Sequence, residues 1–300
     1  VYPLNSAYIE NTEFSRDEFF QKADFDMKHK QVSALLISVL LSITLFGKQI
    51  FVDPGGNDQN DGSLENPFWS IQKAQSGAAA GDTIYIKGGT YVITENDISV
   101  VENNLFACIS FLDKNGTENN RIKYWAYPGE QPVFDLSAVK PVDKRVVAFW
   151  VSGDYIHLKG VEITGVQVTI TTHTESYCVY SWGNHNIFEN ISMHDNKGTG
   201  LRHRNGGYNL FLNCDAYNNH DDVSEDKKGG NTDGFGCHPK TGGKGNVFRG
   251  CRAWFNSDDG FDTISAAEAV TIEHCWAAHN GYSPDFQPLA DGNGFKIGGY

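Results

Sequence analysis

Hydrophobic and polar positions repeat in the second half of the chain. Four ten-residue segments carry an apolar residue near the start, Ile or Cys at the fifth place, Met or Ala at the seventh and Asn at the tenth: IFENISMHDN from Ile187, LFLNCDAYNN from Leu210, VFRGCRAWFN from Val247 and TIEHCWAAHN from Thr271. With a weaker copy, HLKGVEITGV from His157, the starts are offset by 30, 23, 37 and 24 residues. Such periods are typical of solenoids and propellers. A propeller blade needs about 40 residues and four strands, so the shorter offsets favour one coil of a parallel β-helix.

Stacked coils place equivalent side chains in columns about 4.8 Å apart. We therefore expect an inward column of small apolar fillers and a corner column of amides that hydrogen-bond to one another. The first column is Cys214, Cys251 and Cys275, and the second is Asn196, Asn219, Asn256 and Asn280. A disulfide between adjacent coils is the alternative for the cysteines.

The N-terminal part fits the start of the same solenoid. Residues 51–53 and 83–86 are predicted strands, and a short amphipathic helix at 67–74 has Pro67 in its first turn. This helix is expected to cap the open end of the solenoid and cover its unpaired edge. The predicted fold class is all-β: a parallel β-helix with a short N-terminal capping helix, over residues 48–300. The sequence stops at Tyr300 without a capping element, so we expect the domain to continue.

A secretory signal peptide is predicted at residues 27–47. Met27-Lys28-His29-Lys30 is a basic start, the following run to Phe46 is almost wholly apolar, and Gly47 follows. A membrane anchor is the alternative, but the run is short for a span. Residues 1–26 form an upstream extension that we expect to lie outside the fold. The interpretation predicts export and no stable membrane span after the signal is removed.

The formal net charge of −13 limits the partners. Nucleic acid is excluded as the expected partner, because phosphates need a basic surface. An acidic polysaccharide would also be repelled unless the site carries its own cations.

A second pattern, Gly followed by a large apolar residue and a variable one, recurs along the chain. It occurs at Gly200-Leu201-Arg202, Gly234-Phe235-Gly236, Gly260-Phe261-Asp262 and Gly294-Phe295-Lys296. Successive side chains of a strand point to opposite faces. If the apolar residues point inward, then Arg202, Gly236, Asp262 and Lys296 form an outward column. Thr199, Asp233, Asp259 and Asn293 stand just before the glycines.

This alignment predicts a metal site formed by Asp233, Asp258, Asp259 and Asp262. Carboxylates that converge without a partner repel and raise one another's pKa, which a hard divalent cation relieves. Calcium accepts six to eight oxygen ligands in flexible geometry, so we expect Ca²⁺ rather than Mg²⁺ or Zn²⁺. The alternative is that these Asp-Gly pairs only mark turns.

Lys296 is predicted to lie one coil from Asp262. A lysine beside a bound cation is expected to have a lowered pKa and can act as a base. A structural salt bridge between Lys296 and Asp262 is the alternative.

These parts suit β-elimination in a uronic acid polymer. Removal of the C5 proton is difficult while the C6 carboxylate is charged, and calcium on that carboxylate stabilises the developing enolate. The lysine then takes the proton. Arg202, His203, Arg204 and Lys240 are the candidates to bind neighbouring carboxylates, with solvated surface charge as their alternative role.

Three motifs resemble those of polysaccharide lyase family 9: Asn231 to Gly236 (NTDGFG), Asn256 to Asp262 (NSDDGFD) and Gly292 to Gly299 (GNGFKIGG). The opening FVDPGGNDQNDGSLENPFWSIQKA is similar to the start of secreted right-handed β-helix proteins. The resemblance covers residues 50–300. It implies a right-handed parallel β-helix whose calcium aspartates are Asp233, Asp258, Asp259 and Asp262 and whose base is Lys296.

The expected function is therefore a secreted, monomeric, calcium-dependent lyase of pectate (homogalacturonan), acting on acidic plant cell-wall polysaccharide. A rhamnogalacturonan I lyase using the same site stays open. So do a hydrolase similar to polygalacturonases, which also carry an Asn-Thr-Asp-Gly motif and an Asp-Asp pair, and a non-catalytic carbohydrate-binding β-helix.

Overall fold

The computed structural model describes Met27 and residues 47–298, and within them the chain coils into three long sheets. The predicted upstream extension, most of the predicted signal peptide and Tyr300 lie outside the described residues. Among the residues described, no helix has the length and apolar character to cross a bilayer.

Each coil contributes one strand to each sheet in turn. Sheet 1 contains β1 (Gln49–Val52), β2 (Thr83–Ile86), β6 (Ile122–Ala126), β9 (Ile156–Lys159), β12 (Ile187–Glu189), β15 (Leu210–Leu212), β18 (Asn246–Arg249) and β21 (Val270–Glu273). Sheet 2 contains β3 (Gly89–Val92), β7 (Pro132–Asp135), β10 (Glu162–Thr164), β13 (Ser192–His194), β16 (Asp215–Tyr217), β19 (Arg252–Trp254) and β22 (Trp276–Ala278). Sheet 3 contains β4 (Val100–Glu102), β5 (Phe106–Leu112), β8 (Arg145–Val151), β11 (Tyr177–Ser181), β14 (Thr199–Asn205), β17 (Phe235–Pro239), β20 (Phe261–Thr263) and β23 (Phe295–Ile297). The strands of successive coils pair in parallel, whereas β4 and β5 form an antiparallel hairpin. The predicted parallel β-helix is confirmed.

The interior is filled by columns of apolar side chains. Phe188, Phe211 and Phe248 stack with ring centroids 5.2 and 4.3 Å apart. The predicted cysteine column also lies inside, with Cys214 and Cys251 fully buried. All three of its members are free thiols, so the disulfide alternative is not formed.

The predicted asparagine column is a continuous hydrogen-bonded ladder. Asn196 Nδ2 donates to Asn219 Oδ1 at 2.9 Å, and Asn219 Nδ2 donates to Asn256 Oδ1 at 2.8 Å. Asn256 Nδ2 donates to Asn280 Oδ1 at 2.9 Å. Because each amide is buried and bonded to the next, the ladder fixes the turn between coils.

The N-terminal helix, α1 (Ile71–Ser76), begins later than the predicted 67–74. Its N-cap is Ser70, whose hydroxyl accepts from Lys73 N at 3.0 Å and donates to Asp58 Oδ2 at 2.6 Å. Phe68 instead forms an isolated bridge with Val52. The helix packs on β1, β2 and β5, which places it at the N-terminal end of the solenoid as predicted. A single 3-10 turn covers Glu95–Asp97.

Candidate functional site

The outward column of sheet 3 has the predicted register. Arg202 pairs with Gly236, Gly236 with Asp262, and Asp262 with Lys296. The apolar residues beside them point inward, where Phe235, Phe261 and Phe295 stack at 5.0 Å centroid spacing. Four coils therefore bring their variable residues to one face.

The glycines of the motif allow the coils to approach closely. A Cβ on Gly234 would stand 2.8 Å from Gly260 O, and one on Gly260 would stand 2.7 Å from Gly294 O. Gly234 N donates to Asp259 O at 2.9 Å across the same contact. The aspartates that precede these glycines are thereby held in adjacent coils.

Asp233, Asp259 and Asp262 converge on one point. Each presents a carboxylate oxygen within 4.8 Å of the others, and the three side chains are 0–8% exposed. Backbone groups orient them: Asp233 Oδ1 accepts from Asp259 N at 3.2 Å, and Asp262 Oδ1 accepts from Ile264 N at 2.7 Å. Asp259 Oδ1 accepts from both Asn293 N and Asn293 Nδ2, at 2.9 and 2.7 Å.

The fourth predicted ligand, Asp258, lies outside this group of three. Its Oδ2 accepts from Asn231 N at 2.6 Å and its Oδ1 from Asp291 N at 3.2 Å. Burial raises the pKa of Asp258 despite the hydrogen bond from Asn231. Asp258 remains close enough for its charge to affect Asp233.

The cluster is electrostatically unbalanced. Burial raises the pKa of Asp233 well above its ordinary value, and the charges of Asp258, Asp262 and Asp259 raise it further. The carboxyl group of Asp233 therefore resists ionisation next to its neighbours.

Lys296 reaches into this cluster and pairs with Asp259, rather than with Asp262 as in the salt-bridge alternative. Its Nζ lies 2.9 Å from Asp259 Oδ2 and 4.0 Å from Asp291 Oδ2. Burial alone would lower the pKa of Lys296, but the hydrogen bond to Asp259 and the surrounding carboxylate charges together raise it. The predicted lowering concerns a lysine beside a bound cation and stays a prediction.

The donor set fits a hard divalent cation. The three converging side chains offer carboxylate oxygens in a buried setting, as calcium prefers. Asp259 Oδ2 is fully buried and, apart from the Lys296 ammonium beside it, has no hydrogen-bond donor in the described residues. The Lys296 ammonium is its partner in this structure, and a hard cation would suit the same oxygen because buried carboxylates are paired with positive charge or coordinate metals.

Basic residues border a cavity of about 660 Å³ beside the cluster, which is lined by Arg202, Arg204, His238, Pro239, Lys240, Thr241, Ile264, Ser265 and Ala267. Arg204 and Lys240 are exposed and border it. Arg202 is largely buried and forms an ion pair with Glu175, which also accepts from Tyr177. Although burial lowers it, the pKa of Arg202 is raised overall by Tyr177 and Glu175.

His203 was predicted to bind substrate, and this prediction is wrong. The side chain is 0% exposed and points into the coil, where Nε2 donates to Gly206 O at 2.8 Å. Burial lowers its pKa to about 4. Strand alternation is the reason: if Arg202 points outward, the next residue points inward.

His238 lines the same cavity but was not predicted from the sequence. It pairs with Arg204 across adjacent coils, and its Nδ1 lies 2.8 Å from Ile264 O. Burial lowers its pKa, and the charge of Arg202 lowers it further. Strand alternation could have identified it, since His238 stands two residues after Gly236 in β17 and therefore points to the same outer face.

Comparison with known proteins agrees with this architecture. The family model "Pel9A-like, right handed beta helix region" matches residues 50–300. "Pectate lyase L" of Dickeya chrysanthemi is 40% identical over 259 residues, covering 83% of this chain and 55% of that protein. "Pectate lyase PEL9" of Emericella nidulans is 34% identical over 272 residues, covering 83% and 62%. The chain thus spans about half the length of the first of these relatives.

Two solved structures are similar along most of the described fold. A "Rhamnogalacturonan lyase" is 46% identical with a TM-score of 0.81, covering 85% of this chain and 62% of that one. Pectate lyase Pel9A is 34% identical with a TM-score of 0.65, covering 85% and 60%. The resemblance to polysaccharide lyase family 9 and the right-handed coil are confirmed. The chain belongs to the Pel9A-like right-handed β-helix family.

Proposed function

We propose that this chain carries the catalytic site of a calcium-dependent lyase that cleaves pectic uronate polymers by β-elimination. The observation that supports this most is the position of Lys296, whose Nζ lies 2.9 Å from one oxygen of the buried carboxylate cluster. A base next to a cation site is what proton removal beside a carboxylate requires.

Asp233, Asp259 and Asp262 would hold the cation, with Asp258 next to them. When bound, calcium would neutralise the uronate carboxylate and favour charge development at C5. The carboxylates raise the pKa of Lys296, and a bound cation would offset their charge and so favour the neutral amine.

Lys296 Nζ then accepts the C5 proton of the sugar. The electrons of the C5–H bond form a C4–C5 double bond, and the C4–O bond breaks. The departing oxygen takes a proton from solvent. Arg204 and Lys240, which are exposed at the cavity, would bind carboxylates of neighbouring sugars.

The proposed substrate is pectate, after the curated relatives. A rhamnogalacturonan I lyase is the second candidate, because the solved structure named "Rhamnogalacturonan lyase" has higher identity and TM-score than Pel9A. Turnover of demethylated homogalacturonan against rhamnogalacturonan I distinguishes them. We further propose that the protein is exported, as the predicted signal indicates, and that it acts as a monomer.

The test compares Lys296→Ala with Lys244→Ala, a change at an exposed lysine outside the column. Loss of the base should lower turnover by about 10²- to 10⁴-fold, while calcium still raises the melting temperature. Turnover is followed by the ultraviolet absorbance of the unsaturated uronate product, which a hydrolase does not make. Chelation should abolish turnover, and calcium should restore it. Near-normal turnover by Lys296→Ala would refute the proposal that Lys296 is the base.

A further inference from the structure

An exposed tryptophan extends the outward face of sheet 3 beyond the cavity. Tyr180 pairs with Arg202, and Ser181 with His203, so Trp182 and Arg204 follow as neighbours on adjacent coils. Trp182 is 36% exposed. It lies on the same outer face as Trp150 and Tyr180, on the N-terminal side of the basic residues.

The ring of Trp182 is supported at an angle by its neighbours. Its centroid lies 5.2 Å from that of Trp150 at 60° and 5.6 Å from that of Tyr180 at 74°. Both neighbours are buried on the outside of the coil, in a cluster with Tyr177 and Cys108. The buried rings of Trp150 and Tyr180 therefore hold an exposed indole, and no aromatic ring of the described residues stacks parallel to it.

The aromatic rings on the outside of sheet 2 are arranged differently. On sheet 2, His194, Tyr217, Trp254 and Trp276 stack face to face along the axis, with centroid spacings of 4.6, 4.2 and 5.6 Å. Their ring faces are used by one another, so this ladder serves packing between coils. Trp182 differs because its face is not used by such a partner.

We propose that Trp182 and Arg204 form a distal sugar-binding subsite of the groove. The indole would stack on the apolar face of one sugar ring, and the Arg204 guanidinium would bind the carboxylate of the adjoining uronate. The occupant is the uronate polymer of the proposed function, on which this inference rests. Charge complementarity and continuity with the cavity at Arg202, Arg204 and Lys240 identify it.

The register gives the reach of this subsite. Tyr180, Arg202, Gly236, Asp262 and Lys296 occupy five successive rungs. Four rung spacings correspond to about 19 Å. A sugar residue of an extended chain is about as long as one spacing, so a trisaccharide at Lys296 does not reach Trp182, whereas a polymer does.

The test is the length dependence of KM for Trp182→Ala. We expect KM for the polymer to rise about tenfold relative to KM for a trisaccharide, the effect of an aromatic contact worth about 1.4 kcal/mol. Trp182→Phe should recover most of the loss because it keeps a flat face. Trp276→Ala, a change at an exposed tryptophan of sheet 2, is the matched control and should leave the ratio unchanged.

The dependence on ionic strength distinguishes the contribution of Arg204 from that of Trp182. The loss in Arg204→Gln should shrink as ionic strength rises, whereas the loss in Trp182→Ala should not, because stacking is not screened. If Trp182→Ala changes KM for polymer and trisaccharide by the same factor, so that their ratio is unchanged, the inference is overturned. If the wild-type protein turns over no pectic polymer, the proposed function fails. Binding of polygalacturonate in affinity electrophoresis then tests the subsite with the same variants.

Discussion

Replacing Asp233 with Asn is expected to stabilise the calcium-free protein. The change keeps the shape of the side chain and an oxygen that can accept from Asp259 N. It removes the ionisable group from one of three buried carboxyl side chains that have oxygens within 4.8 Å of one another. Because burial and the neighbouring carboxylates both raise the pKa of Asp233, its ionised form opposes folding.

The size of the effect follows from these distances. At an effective dielectric constant of about 20, two unit charges 4.8 Å apart repel by about 3.5 kcal/mol. Lys296 offsets part of this repulsion, and protonation of Asp233 relieves more. The expected gain in the free energy of unfolding is therefore about 1–3 kcal/mol.

Calcium should shift the stability difference between the two proteins in favour of the wild type. A ligand that binds only the folded state at one hundred times its Kd adds about 2.7 kcal/mol. The wild type should gain this stability, whereas Asp233→Asn should lose most of it with one ligand missing. Melting temperatures of both proteins in chelator and in saturating calcium measure this change in their stability difference.

Asp82→Asn is the matched control. Asp82 is also buried but accepts from Lys48 N and Ala79 N, at 2.7 and 2.8 Å, far from the cluster in sequence. Its replacement should destabilise the protein equally with and without calcium. The reasoning is refuted if Asp233→Asn is less stable than the wild type in chelator, or if it retains the full calcium response.

Three further predictions concern stability, each measured by urea denaturation. Between about pH 4 and 6.5 the folded protein binds fewer protons at His203 than the unfolded chain does, so the free energy of unfolding falls as the pH drops. His203→Gln should remove about 2–3 kcal/mol of the stability loss between about pH 7 and pH 4.5. An unchanged loss in this variant would contradict the prediction. Asn219→Ala breaks the buried amide ladder on both sides and should cost about 2–4 kcal/mol, whereas a cost below about 1 kcal/mol would mean the ladder contributes little. Glu175→Gln leaves the Arg202 charge buried without its partner and should cost about 3–5 kcal/mol, whereas a cost below about 1 kcal/mol would contradict this.

Much of the architecture could be predicted because a solenoid converts sequence spacing into position. Once the coils are aligned, period-two alternation places Asp262 beside Lys296 without further information. The same rule, applied one residue further, would have excluded His203. The asparagine ladder was predictable for a similar reason, since its members stand at one place of the repeat.

What escaped prediction depends on segments outside the repeat. Glu175 precedes β11 in an irregular stretch, so nothing in the spacing indicates that it pairs with Arg202. The partner of Lys296 was also beyond the strand register, because the long side chain reaches past Asp262 to Asp259. Such contacts are set by side-chain conformation and local charge rather than by coil alignment.

The proposed site is formed by side chains from three successive coils. Asp233 comes from one coil, Asp259 and Asp262 from the next, and Lys296 from the one after. No single coil contains both the cation ligands and the base, so the function requires the close approach that Gly234 and Gly260 allow. The buried carboxylates weaken that same contact while no cation is bound. Cation binding should therefore stabilise the contact between these coils, which couples the stability of this part of the fold to its activity.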